Sequence, residues 1–385
     1  MLLARRGYRV LLVDKATFPS DTISTHIVWP HGAEFLDRWG LLDRLAATGC
    51  PPVALNMTFD LGPLTLRGGI VDTNSGRGGF CPRRTVLDKL MVDAAAESGA
   101  EVREGFVVEE LLRGGDRVVG LRGRTRNGAS AEERARVVIG ADGVHSFVAR
   151  AVAAREYDTR PPIATYFYSY YSGFEAEDIE QHIRDYYGVG CFPTHDGLTL
   201  IAGVWPSRFF QQIRSNVEGH VQKVCDSIPD VAGRLRRARR EEKWLGTAGV
   251  PNYYRVPFGP GWALVGDAGQ DKDPIQAQGI SDAFIDSESL ADALDAGLSG
   301  RRPLDEALRE HHEQRDRRTR PMYDFSCEMA ALAPPPPPMR QLFAALKDNR
   351  EATNEFFSAI TGSRPLPGFM NPENIERIVS GAAVR

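Results

Sequence analysis

The chain has 385 residues, with 47 Lys+Arg against 51 Asp+Glu and a net charge of −4. At roughly 150 residues per domain this is two to three domains, and the charge balance excludes a wholesale attraction to nucleic acid. Hydrophobic (42%) and charged (25%) fractions exclude wholesale disorder, and no apolar run approaches the roughly 18 residues of a membrane-spanning helix. The first residues, Met1 to Asp14, carry arginines within their apolar stretch and make a poor signal peptide. Cys50, Cys81, Cys191, Cys225 and Cys327 are too far apart for a zinc clip or a redox dithiol. A soluble, cytoplasmic protein is the expectation.

Met1 to Arg6 read as the end of a helix closed by Gly7. Arg9 to Asp14 read as a buried parallel strand with Asp14 at its C-terminal end. In dinucleotide-binding folds an acid at that place holds ribose hydroxyls, about 20 residues after a glycine loop. Only 13 residues precede Asp14, so in that role the loop and its strand lie upstream of Met1; strand-end acids are also common without it. Helical periodicity over 33–48 is broken at Gly40, strands with glycine turns follow over 53–71, and Arg84 to Glu97 form an amphipathic helix ended by Gly99. Strands are expected at 101–112, 117–124 and 134–140.

From about 160 to 262 the pattern becomes antiparallel. Residues 163–174 alternate and are dense in aromatics, so Tyr166, Tyr168 and Tyr170 share one face and Phe167 and Tyr171 the other. A hairpin turns at His195-Asp196-Gly197. A helical stretch, 207–240, includes the Arg-rich run Arg234 to Lys243, read as a solvated helix face. A strand pair follows, one near Leu245 and one at 262–268. Helices run to about 330, with His311 and His312 solvated on one of them. Pro334 to Pro338 read as a polyproline II spacer, followed by a helix over 339–361 and a Pro/Gly-rich tail.

Two turns carry the chemistry. In Val137 to Arg150 an apolar strand delivers Asp142 and Gly143 into a tight turn before Ser146, placing a carboxylate and free backbone N–H groups beside one crevice. The same residues fit an ordinary turn with an N-capping Asp. In Trp262 to Ile285 a strand ends at Gly266-Asp267, a loop with Pro274 follows, and Gly279 opens a helix. Asp267 is placed to accept from a polyol hydroxyl. The N–H groups of Gly279 and Ile280, with the positive helix end behind them, suit electron-rich oxygen or nitrogen.

Together these turns resemble the paired Asp-Gly and Gly-Asp signatures of the FAD-dependent aromatic hydroxylases, the p-hydroxybenzoate-hydroxylase-like flavoproteins. Arg84, three residues before Leu87-Asp88, resembles that family's Arg-x-x-[Phe/Leu]-Asp helix start, and Ser24-Thr25-His26 resembles a bacterial subgroup. The resemblance implies an α/β protein: a Rossmann-like FAD-binding domain whose first strand and glycine loop are missing, an inserted antiparallel-sheet substrate domain, and C-terminal helices. The expected boundaries are 1–50, 80–160 and 262–300 for FAD, 51–79 and 161–261 for the sheet, and 301–385 for the helical region.

It further implies FAD as cofactor, NAD(P)H as a transient reductant, and dioxygen as the source of an oxygen atom delivered to a small aromatic or polyketide-like substrate. By this resemblance Asp14 holds the adenosine ribose, Arg84, Asp142 and Gly143 the phosphate and ribose region, and Gly266 and Asp267 the ribityl chain. Gly279 and Ile280 face the pyrimidine end, and Pro274 borders the ring. Tyr166, Tyr168 and Tyr170, with Pro274, are the candidate substrate-side residues; His26 and His31 are candidate neighbours of the ring. No catalytic residue or metal ligand stands out.

Gln270-Asp271 departs from the family, which tends to carry an aromatic or His pair there. Asp271 near the ring opposes an anionic reduced flavin unless Lys272 offsets it. The alternatives are a same-fold isoprenoid-reductase-like enzyme, although its cysteine-containing motif is replaced by Ser24-Thr25-His26, and a truncated non-catalytic protein. The segment after the prolines suits a lid or a homodimer contact. Without the glycine loop FAD binding should be weak or absent; purification of the chain with stoichiometric yellow flavin would contradict this.

Overall fold

The computed structural model describes residues 1–70 and 76–381. Val71, the end of the expected 53–71 strand region, lies outside the described residues, as do the rest of 71–75 within the expected sheet domain and 382–385 in the tail. The architecture is mixed α/β, with parallel strand pairs at one end, a large sheet above them, and helices closing the C-terminal side.

Two parallel pairs form the first layer. Leu11–Asp14 pairs with Glu101–Glu104, and Val138–Gly140 pairs with Trp262–Leu264. Each inner strand, Leu11–Asp14 and Val138–Gly140, pairs on one edge only among the described residues, and both line the same cleft. This is why Leu11–Asp14 is half-buried rather than buried as its apolar run suggests. The expected strand 101–112 is divided at Gly105, whose φ is 67°, and 134–140 divides into Ser130–Arg134 and Val138–Gly140.

The large sheet has eight strands, with Ala164–Ser172 near one end and Thr65–Gly68 at the other. Its pairs are antiparallel except Glu180–Arg184 beside Met57–Asp60, which is parallel. The two-residue period decides what each face meets. Phe167 and Tyr171 pack with Trp205, Val221 and Val231 under the helices Phe210–Ser215, Val217–Asp226 and Pro229–Leu235. Tyr168, Tyr170, Phe59 and Phe192 face the C-terminal helices through Phe343, Phe356 and Phe357.

Several local expectations are corrected. Leu245–Thr247 and Trp262–Leu264 are not a pair: the first joins Ala164–Ser172 and the second the parallel layer. The run after Arg234 is not a helix face. Arg234 lies over the Phe174 ring and binds Glu180, while Arg239 and Arg240 form a short strand. Only part of the five-proline run is extended, because Pro337 and Pro338 open the helix Pro337–Lys347; a first helical turn needs no N–H from them. His311 is buried and meets Ser289. The tail contains the helix Pro372–Val379, which packs on the helix before it through Ile378.

One buried carboxylate fixes the sheet where its strand order departs from chain order. Asp178 accepts from the N–H groups of Ala54, Leu55, Asn56 and Ile179 at 2.6–2.8 Å. Asp178→Ala leaves these buried donors unpaired and should cost about 2–4 kcal/mol, read as a lower urea midpoint with an unchanged slope.

Candidate active site

The cleft between the parallel layer and the large sheet has a volume of about 1950 Å³, above the usual range for a drug-sized ligand. Asp14, Arg84, Asp142, Gly143, Gly266, Asp267, Pro274, Gly279 and Ile280 all line it. Residues separated by more than 250 positions thus meet on one surface.

Asp14 and Asp142 each use one oxygen to shape their own turn and leave the other toward solvent. Asp14 Oδ1 accepts from Ala16 N–H at 2.7 Å. Asp142 Oδ2 accepts from Phe147 and Val148 N–H at 2.7 and 3.1 Å, so the capping role and a ligand role are compatible. Arg84 is held by Asp88 through Nε and Nη2 at 2.8 and 2.9 Å. Gly143 and Gly266 have φ of 74° and 59°, which a side chain would strain.

Asp267 opens onto the cleft, and its carboxylate makes no hydrogen bond among the described residues. Enclosure by protein raises its pKa, opposed by the nearby charges of Lys272 and Arg84. The helix Gly279–Leu298 begins beside it, and a Cβ on Gly279 would meet nothing within 4 Å. The first amides of that helix therefore look into open space with no intrahelical acceptor.

The loop between Asp267 and Gly279 is fastened on three sides. Asp273 accepts from Ala164 N–H at 3.2 Å and from the Tyr166 hydroxyl, and its own N–H donates to Asn252 Oδ1 at 2.7 Å. Trp29 Nε1–H donates to Gln276 O at 2.9 Å, and Gln278 Nε2–H donates to Ile360 O at 3.3 Å. Lys272 is bound to Asp282, so its ammonium is not left to offset Asp271.

Of the three tyrosines, Tyr166 and Tyr168 line the cleft and Tyr170 does not. The Tyr170 hydroxyl donates to His26 Nε2 at 2.7 Å, since His26 Nδ1 is bound to Ser24 O at 2.6 Å, and the Arg83 guanidinium covers the Tyr170 ring at 4.0 Å. Tyr170 is therefore part of the wall. His26 and His31 also lie outside the lining; burial pushes both imidazoles down to about 4, keeping them neutral. The Tyr168 hydroxyl is buried without a hydrogen-bond partner, and burial pushes it up to about 12.

Behind Pro274 lies a second, smaller chamber of about 60 Å³, walled by Phe59, Phe192, Met329, Met339 and Phe343, with no charged residue in its lining. Thr25, Tyr166, Ala202 and Pro274 belong to both spaces. The sequence gave no sign of this chamber, because its walls come from the sheet and from helices after residue 320. The unpartnered Asp271 Oδ2 was equally hidden.

Paired acidic turns, open helix amides and two unpartnered buried polar atoms around a dinucleotide-sized cleft define a nucleotide-cofactor-binding α/β protein and fit FAD. The chain belongs to the FAD binding domain family, which matches residues 1–326. It is 30% identical over 241 residues to digeranylgeranylglycerophospholipid reductase of Methanothrix thermoacetophila, covering 60% of this chain and 59% of that protein. It is 23% identical to the 1H-pyrrole-2-carbonyl-[peptidyl-carrier protein] brominase of Pseudoalteromonas luteoviolacea, over 77% of this chain and 73% of that one. The fold is similar to a flavoprotein/dehydrogenase from Cytophaga hutchinsonii, with a TM-score of 0.80 and 18% identity over 99% and 95% of the two chains. It is also similar to the myxobacterial chondrochloren halogenase CndH, with a TM-score of 0.77 and 22% identity over 99% and 92%. No helix among the described residues is long and apolar enough to cross a membrane.

Burial lifts Asp273 to about 6, and the Tyr166 hydroxyl counteracts this. A carboxyl with a folded pKa above its unfolded value costs stability as pH rises through the folded value. Tyr166→Phe raises Asp273 further, so its loss of stability, about 1–3 kcal/mol, should be larger at pH 8 than at pH 5 in urea denaturation.

Proposed function

We propose that this FAD-dependent oxidoreductase is an NAD(P)H-dependent monooxygenase of a small, neutral, largely apolar substrate, aromatic or polyketide-like. The observation that carries this reading is the meeting of both acidic turns and the Gly279 helix end on one cleft that adjoins an uncharged chamber at Pro274. FAD, when bound, supplies the electron transfer and dioxygen chemistry that side chains lack.

The residues hold and orient. The free oxygens of Asp14 and Asp142 suit ribose hydroxyls, and Arg84 stands near the phosphates. Asp267 accepts from the ribityl chain, and the Gly279 and Ile280 amides donate to the pyrimidine end, where the helix dipole favours negative charge. Pro274 and Tyr166 separate cofactor space from the chamber. The chamber is smaller than the roughly 150 Å³ cavity that takes a benzene, so it suits one apolar end of a substrate whose ring stays in the cleft. The unpartnered Tyr168 hydroxyl is the group that would meet the substrate's polar atom.

A second reading, reduction of isoprenoid double bonds, is favoured by the reductase relative and by the uncharged chamber. Oxygen uptake separates the two. With FAD and NAD(P)H, candidate phenols should stimulate dioxygen consumption and yield hydroxylated product. No uptake by flavin-loaded, fully reduced protein eliminates the monooxygenase, and anaerobic saturation of a polyprenyl double bond supports the reductase. Asp267→Ala should weaken FAD binding by roughly tenfold or more, measured by quenching of flavin fluorescence.

A further inference from the structure

The strand Gln270–Asp271 runs antiparallel to Asn252–Arg255, with Tyr253 opposite Asp271, and this register holds Asp271 at the cleft wall. Its Oδ1 accepts from Lys272 N–H at 3.0 Å, while Oδ2 is buried and has no partner. A carboxylate oxygen in that position would be a buried charge without a donor, which costs several kcal/mol.

Every cationic or donor group around it is committed elsewhere. The Lys272 ammonium binds Asp282. The Arg255 guanidinium binds Glu156 at 2.9 Å and Ala268 O at 3.0 Å, and lies over the Tyr253 ring. The Tyr253 hydroxyl donates to Asp267 O at 2.6 Å. The remaining charged neighbours, Asp267 from the preceding turn and Asp273 two residues on, are acidic and repel a second negative charge.

We propose that Asp271 is a neutral carboxylic acid at neutral pH and serves as the proton and hydrogen-bond donor of the cleft, aimed at a lone pair of the bound ligand. Burial first, and then Asp267, hold this carboxyl well above the usual carboxylate range. A protonated Oδ2 needs an acceptor, and its open side is the space shared with Asp267, Gly279 and Ile280. The acceptor class is a carbonyl oxygen or ring nitrogen of a heterocycle bound against the helix end. In donation the Asp271 Oδ2–H bond breaks, the proton bonds to that atom's lone pair, and Asp271 becomes a carboxylate. The new charge faces Asp267, which favours return of a proton from cleft water. Asp271 would thus ease negative charge on the ligand, where its sequence position suggested opposition.

Only the identity of the ligand rests on the proposed function, and the deciding experiment needs no flavin. Infrared spectra of the full chain at pH 7 should contain a protonated-carboxyl C=O band that Asp271→Asn removes. In Asp267→Asn, with the like charge gone, that band should titrate about one pH unit or more lower. N,N′-dicyclohexylcarbodiimide, which attacks protonated buried carboxyls, should label Asp271 in the intact chain at neutral pH, located by peptide mass spectrometry. Identical wild-type and Asp271→Asn spectra, or absence of label at Asp271, would overturn the proposal. If Asp271→Asn does not fold, the Asp267→Asn titration and the labelling still decide it. Protection from labelling by excess FAD tests cofactor placement separately: label without protection upholds the acid and counts against the FAD reading.

Discussion

Asp273 is the node on which the cleft depends. Its carboxylate is held between the first residue of the aromatic strand and the Tyr166 hydroxyl, and its backbone is bound to Asn252. One side chain thus links the large sheet, the short strand Asn252–Arg255 and the loop leading to Gly279. If the loop moved, a buried carboxylate would lose its donors, which is costly in a low-dielectric interior. The loop cannot drift, and the helix Gly279–Leu298 keeps its N-terminus turned to the cleft.

The arrangement of charge around that helix end follows from local pairing. Arg84 is satisfied by Asp88, Lys272 by Asp282, and Arg318 by Asp286. Little free positive side-chain charge remains there, so attraction of an electron-rich ligand falls to backbone amides and the helix dipole. Such groups are fixed by the fold and need no reorganisation when charge develops nearby. Asp267 opposes them, and the protonation state of Asp271 decides whether that opposition is single or double.

The aromatic strand shows how one sequence pattern supplies three environments. Its alternation sends Phe167 and Tyr171 beneath the crossover helices, and Tyr166, Tyr168 and Tyr170 to the other side. Along that second face the outcome differs by position. Tyr166 braces the loop, Tyr168 keeps an unpartnered hydroxyl at the cleft, and Tyr170 is closed off by His26 and Arg83. Periodicity fixes the side of a sheet; it carries no information on which chain segment covers that side.

What the sequence by itself determined were features set by neighbouring residues. The helix Arg84–Glu97, the hairpin at His195 to Gly197, the faces of the aromatic strand and the two acidic turns were all legible, because each depends on local spacing or on glycine at a turn. The division of the Pro334–Pro338 run, the burial of His311, the Asp178 cradle, the uncharged chamber and the isolation of Asp271 Oδ2 were not. Each is decided by groups that tertiary packing brings from more than 20 residues away or by how a short segment starts its helix. Burial and hydrogen-bond satisfaction are properties of those assembled neighbours, and no local pattern encodes them.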